Sequence, residues 1–279
     1  MLNNMVLSKS NLIYAPIAIF LPTILILSVA PNLVISGQTT DYTLLGIWGS
    51  KGSVNGQFNV PHSLAFDRFG NAYVSDTNNQ RIQKFTSDGT FITKWGSKGN
   101  ATGQFHSPEG IDVDSQGNVY VADTGNSRIQ KFTDDGKFIT KWGSRGSSDG
   151  QFSRHAHGVV IDSSNYVYVT DRFHHNIKKF TSDGKFITKW GSEGSGDGQF
   201  LLPLGIGIDS LDNLYIVDQI RSSIEKFASD GKFIQRILIQ FANDSSSNLE
   251  DIELDKNDII YVTDRGEHNI KIYAPVKIG

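Results

Sequence analysis

The stretch Ala122-Asp123-Thr124-Gly125-Asn126-Ser127-Arg128-Ile129-Gln130-Lys131-Phe132 restates, 47 residues on, the stretch Ser75-Asp76-Thr77-Asn78-Asn79-Gln80-Arg81-Ile82-Gln83-Lys84-Phe85. Outward from this pair, the same Asp recurs at Asp76, Asp123, Asp171, Asp218 and Asp264, and Gly-Gln-Phe begins at Gly56, Gly103, Gly150 and Gly198. A period of 46 to 48 residues, held from about Tyr42 to the end, means a radial array or solenoid of like units, none of which can bury a core alone.

Each unit reads as four short strands. After Gly-Gln-Phe comes an apolar run such as Leu64-Ala65-Phe66, then a turn at Arg68-Phe69-Gly70-Asn71, then Ala72-Tyr73-Val74-Ser75 ending at the Asp. A third run, Arg81 to Phe85, is expected to turn Ile82 and Phe85 inward. Asp88-Gly89 then makes a hairpin, because glycine accepts the positive φ such turns need, and Phe91-Ile92-Thr93-Lys94-Trp95 follows. Asp135-Gly136, Asp183-Gly184 and Asp230-Gly231 repeat the hairpin signal. Four strands in about 47 residues is the size of a propeller blade. The last unit, Ile252 to Tyr273, has three strands, while Tyr42 to Trp48 is a lone fourth strand ending in Trp-Gly like the others. The expectation is an all-β propeller of five four-stranded blades, closed by that N-terminal strand, over residues 37–279.

The two long matching stretches resemble NHL repeats, and the resemblance extends over nearly all of residues 42–279. It implies a β-propeller, six-bladed in many relatives, which is the alternative count. It also implies a surface for protein or RNA partners, or, in one related propeller, a peptidyl-hydroxyglycine amidating lyase. Fold resemblance alone does not fix which.

The chain has no cysteine, so disulfides and thiolate metal sites are excluded, and a formal net charge of −3 does not favour a polyanionic partner such as nucleic acid. Residues 12–30 are nineteen positions without a charge, close to the roughly 20 needed to span a hydrocarbon core, with Lys9 ahead of them. Residues 1–36 therefore read as a signal peptide or transmembrane anchor built on an apolar helix, placing the propeller outside the cytoplasm, membrane-anchored or secreted. Asn100-Ala101-Thr102 and Asn243-Asp244-Ser245 fit the glycosylation acceptor pattern.

Comparing the five units separates scaffold from site. The constant Asp reads as a carboxylate satisfying the loop that follows it. Trp48, Trp95, Trp142 and Trp190 share a column that reads as packing between blades. The varying column opens each innermost strand: His62, Glu109, His157, Leu204 and Glu250. In a propeller these side chains converge on one mouth of the central channel, together with the position after the constant Asp: Thr77, Thr124, Arg172, Gln219 and Arg265. Imidazole and carboxylate donors suit Zn²⁺ or another divalent metal, so His62, Glu109, His157 and Glu250 are candidate ligands. The other reading makes the two histidines channel residues hydrogen-bonded beside ordered water.

The resemblance to the amidating lyase implies a zinc-binding His in a Pro-His context, which Pro61-His62 matches and His157 matches without the Pro. The lyase's third histidine and its tyrosine have no counterpart, and no residue is assigned a catalytic role. Arg172, Phe173, His174 and His175, echoed by Arg265 and His268, form a second candidate cluster, exposed and able to stack on a ligand. The function expected is an extracytoplasmic platform for a protein, peptide or glycan at the channel mouth. A metal-dependent lyase or hydrolase is the first alternative and an RNA platform the second.

Overall fold

The computed structural model describes residues 49–238 and 249–254, together with the backbone of short strands at 34–35, 38–39, 260–264 and 269–273. Strands β1 (Val34–Ile35) and β2 (Gln38–Thr39) pair antiparallel. The rest is strand, turn and single turns of 3₁₀ helix. The first sheet is β3 (Pro61–Phe66), β4 (Ala72–Asp76), β5 (Arg81–Phe85) and β6 (Phe91–Trp95), each antiparallel to the next. The second is β7 (Pro108–Val113), β8 (Val119–Asp123), β9 (Arg128–Phe132) and β10 (Phe138–Trp142). The third is β11 (Ala156–Ile161), β12 (Val167–Asp171), β13 (Asn176–Phe180) and β14 (Phe186–Trp190), and the fourth is β15 (Pro203–Ile208), β16 (Leu214–Asp218), β17 (Ser223–Phe227) and β18 (Phe233–Leu238). A fifth sheet has three strands among the described residues, β19 (Leu249–Leu254), β20 (Ile260–Asp264) and β21 (Asn269–Tyr273). Strand order follows chain order throughout, the meander of a β-propeller.

The 47-residue period is thus one blade. Its hairpins form as the Asp-Gly pairs dictate: Gly89 sits at φ +83°, its N–H donates to Thr86 O, and Thr86 N–H donates to Thr90 O. That is a type I turn followed by a left-handed glycine.

Blades stack face to face, and the core lies between them. Ala65, Tyr73 and Ile82 of the first blade pack against Phe105, Ile111, Val119, Val121 and Phe132 of the second, with Trp95 across the seam. Each buried Phe or Ile contributes about 1.5–3 kcal/mol. The tryptophan column does join blades: Trp95 meets Tyr73 at 6.4 Å and Phe132 at 5.9 Å, and Trp142 and Trp190 repeat the contact one blade on. Its socket is the glycine of the next blade's hairpin, since a Cβ on Gly136 would stand 2.6 Å from Trp95. Trp48 lies outside the described residues.

Ile82 and Phe85 are buried, and so are Arg81, Gln83 and Lys84, because blades cover both faces of β5. One expectation needs correction. The constant Asp is expected to take backbone N–H groups of the loop that follows it, but in the first blade that turn closes on itself through Gln80 N–H to Thr77 O and reaches the carboxylate only through the Asn79 side chain. Asp76 Oδ1 instead accepts the amide of Asn59, ahead of the inner strand, at 2.7 Å, and Asp123 accepts that of His106 at 2.7 Å. The other lone pairs take Asn79, Arg81 and Gln83, or Asn126, Arg128 and Gln130. Asp76, Asp123, Asp171 and Asp218 are all fully buried.

Removing one such carboxylate leaves a guanidinium desolvated. Asp123→Ala is expected to cost about 3–5 kcal/mol, lowering the melting temperature by roughly 10 °C in a domain of this size. Calorimetry against the parent checks this.

Candidate functional site at the channel mouth

The innermost strands β3, β7, β11, β15 and β19 run side by side in ring order, and glycine permits the closeness. A Cβ on Gly110 would lie 2.5 Å from His157 O, and one on Gly205 would lie 2.5 Å from Asp251 Cα. Side-chain hydroxyls fasten each blade to the next at the same level. Thr77 Oγ1 donates to Pro108 O and Thr124 Oγ1 to Ala156 O, both at 2.7 Å, and Ser75 Oγ donates to Glu109 O at 2.6 Å. Thr77 and Thr124 therefore serve the framework.

On this frame the predicted column converges. His62, Glu109 and His157, from three successive blades, bring one donor atom each to within 4.8 Å of one another. Glu109 Oε2 lies 3.5 Å from His157 Nε2, and His62 Nε2 lies 3.7 Å from Glu250 Oε2. The imidazoles stand edge to face with centroids 4.9 Å apart. Leu204, fourth in the column, is buried and supplies no donor.

The donor set fits a divalent cation. With bonds of about 2.0–2.2 Å, the ligands of a tetrahedral Zn²⁺ stand about 3.4 Å apart, so donors gathered within 4.8 Å need only a small side-chain movement to close on it. His62 Nδ1, His157 Nδ1 and Glu109 Oε2 are buried with no hydrogen-bond partner among the described residues, an arrangement that costs free energy unless something binds there. Burial, then His62 and Arg172, hold the His157 imidazole well below its usual range, so it stays neutral as a metal ligand must. Burial raises the Glu109 carboxyl, while His62 and Arg172 pull it back.

The second predicted cluster is arranged differently from its expectation. Phe173 is exposed, but His174 and His175 are half-buried, and His174 Nδ1 sits 2.8 Å from Asp171 Oδ2. Its position is the one Asn79 and Asn126 hold in the earlier blades, so it is drawn to the buried carboxylate rather than to solvent. Arg172 stacks on Phe173, 5.2 Å from the ring centroid, and lies close enough to the mouth to act on Glu109 and His157. Arg265, His268 and residues 12–30 lie outside the described residues. Among those described, no helix is long and apolar enough to cross a membrane.

Sequence reasoning missed a carboxylate further along the inner strands. Asp112 Oδ2 accepts Ile161 N–H of the next blade at 2.7 Å, and its other oxygen accepts Val113 N–H. Burial pushes Asp112 up to about 7 against those bonds, with Asp114 adding repulsion. An acidic residue within a strand read as apolar was the available signal.

The chain carries NHL repeats: the NHL repeat profile matches residues 58–85 and 105–132, and a family described as a 6-bladed beta-propeller matches residues 157–276. No curated protein matches. Among solved structures, virginiamycin B lyase from Staphylococcus aureus is similar at 18% identity and a TM-score of 0.56, over 78% of this chain and 71% of that one. A protein of unknown function from Bacteroides thetaiotaomicron is similar at 17% identity and a TM-score of 0.61, over 80% and 60%. A protein from Lactobacillus plantarum is similar at 15% identity and a TM-score of 0.56, over 81% and 70%. At these identities the likeness is one of fold.

A raised channel carboxylate sets a pH dependence. Native Asp112 holds a proton that the unfolded chain, titrating near 4, has released, so its stabilising contribution is lost as pH rises from about 4 through 7. Below about 6.5 the neutral native His155 and His157 act in the opposite sense, because their unfolded forms take up protons first. The melting temperature is expected to rise modestly from pH 8 to about 6.5 and to fall below it, where two histidines outweigh one carboxylate, and Asp112→Asn is expected to flatten the upper limb in a calorimetric pH series.

Proposed function

We propose that this chain, an NHL-repeat β-propeller, is a ligand-binding platform whose channel mouth holds a divalent cation through His62, Glu109 and His157, with Glu250 beside them. One observation carries the reading: donor atoms from three blades meet within 4.8 Å while three polar atoms in the same cluster are buried and unpartnered. A cation there neutralises the carboxylates and offers open coordination positions to a ligand lying across the mouth. The partner class is a protein, peptide or glycan, because the rim combines polar groups with the exposed Phe173 and the protein's net charge of −3 gives nucleic acid little attraction.

The ring proposed is of five blades, with Tyr42–Trp48 as the missing fourth strand of the last. The uncharged residues 12–30 support an extracytoplasmic location, tethered or secreted. A second reading, a metal-dependent lyase, is favoured by Arg172 beside the mouth and by the fold shared with a virginiamycin B lyase. The cation would supply Lewis acidity, and Arg172 would hold an anionic oxygen of the substrate.

Protein purified without chelator is expected to carry about one divalent metal per chain, and His62→Ala with His157→Ala to lose it while melting within a few degrees of the parent, since few apolar contacts are removed. Metal-free parent protein, or metal retained in the double variant, would refute the mouth site. Turnover of virginiamycin B, followed by chromatography with mass spectrometry, separates lyase from platform, since an elimination that opens a ring shifts retention without changing mass. Protease added to intact cells is expected to reach the propeller; protection until lysis would place it inside.

A further inference from the structure

The third blade departs from the first two at three positions around one buried carboxylate. In the first blade Arg81 extends from Asp76 to the loop ahead of the inner strand, its Nη1 donating to Ser53 O at 2.7 Å and its Nη2 to Val54 O and Gln57 O at 2.9 Å. Arg128 makes the same three bonds to Asn100 O, Ala101 O and Gln104 O. Asn79 and Asn126 add bonds to Gly52 O and Gly99 O. In the third blade the Asn position is His174, the Arg position is Asn176 and the Gln position is Lys178. Lys178 Nζ takes only one loop carbonyl, Gln151 O at 2.6 Å, and otherwise pairs with Asp171.

No guanidinium from the third strand reaches that loop in this blade. Gly146 and Ser147, counterparts of Gly52 and Ser53, border an open pocket of about 550 Å³ whose other walls include Arg145, Arg154, Phe173 and His174. Asn176 is 8% exposed and its Oδ1 has no partner, so the shorter side chain does not restore what the arginine made. The pocket is also positive. Among the described residues Arg145 and Arg154 have no acidic side chain within ion-pair distance, whereas Asp171 is already matched by Lys178 and His174, which hold its carboxyl below the usual range against its burial. Arg172, stacked on Phe173, has a buried Nε without a partner. Phe173 is 45% exposed and offers a flat apolar wall.

We propose that this pocket binds an oxyanion group, carboxylate or phosphate, of a small ligand, gripped by the guanidinium groups of Arg145 and Arg154 against Phe173. Guanidinium forks match the geometry of both anions. The pocket owes nothing to the cation at the mouth, so the two sites stand or fall separately.

The test is calorimetric titration of chelator-treated full-length protein at low salt with inorganic phosphate and, separately, with N-acetylglycine. Saturable 1:1 binding of one or both is expected, and whichever binds identifies the anion. Arg154→Ala, an exposed position, is expected to weaken it roughly tenfold, as the loss of a charge-assisted fork should. Asn176→Arg, which returns the guanidinium of the first two blades, is expected to abolish binding with no fall in melting temperature. His62→Ala with His157→Ala is expected to leave the affinity within twofold. Binding of neither anion, or undiminished binding in both Arg154→Ala and Asn176→Arg, overturns the proposal.

Discussion

The fully buried carboxylate at the end of the second strand in each of the first four blades fixes the geometry from which everything at the channel mouth follows. Asp76 joins the amide ahead of its inner strand, the Asn of the following turn, and the Arg and Gln of the third strand, so four chain segments meet at two oxygen atoms. Taken out of water, such an ion is costly unless every lone pair is used, which makes the arrangement all or nothing. The loop it anchors leads straight into the inner strand, and the start of that strand carries the mouth residue. His62 and Glu109 are thus placed by framework chemistry that takes no part in what they bind.

Because the framework repeats, the sites lie where it is allowed to vary. The column that opens the inner strands changes from His to Glu to His to Leu to Glu on backbones held in nearly the same position. In the third blade the variation enters the carboxylate cluster itself. Asp171 keeps its charge partners through His174 and Lys178, yet the side chains no longer fill the space beneath the loop. The blade keeps its fold and acquires a pocket.

Much of this was legible in the sequence, for reasons that particular residues make plain. The Asp-Gly hairpins and the strand runs are local signals, and the convergence of His62, Glu109 and His157 followed from counting columns once the period was known. What could not be read came from contacts between residues distant along the chain. Arg81 and Lys84 look like surface residues in a strand, but the loop carbonyls and the Asp134 that hold their ends lie 24 to 50 residues away. Asp112 meets the amide of Ile161, 49 residues on, and its raised affinity for a proton belongs to the assembled channel. The pocket of the third blade is lined from two loops, Arg145 to Arg154 and Phe173 to His174, that only the fold brings together, and such a meeting leaves no motif.

The tryptophan at the end of each blade and the hairpin glycine of the next form a plug and a socket, and every described blade from the first to the third offers the plug to its successor. Such a joint is directional and self-similar: any unit fits after any other, and nothing in the joint counts how many have come before. Ring size is therefore set by the small angle accumulated at each seam rather than by a unique closing contact. Gene duplication or loss of one whole unit would carry an intact plug and socket with it, which gives lineages built on this repeat a route between propellers of different size without passing through a chain that cannot fold.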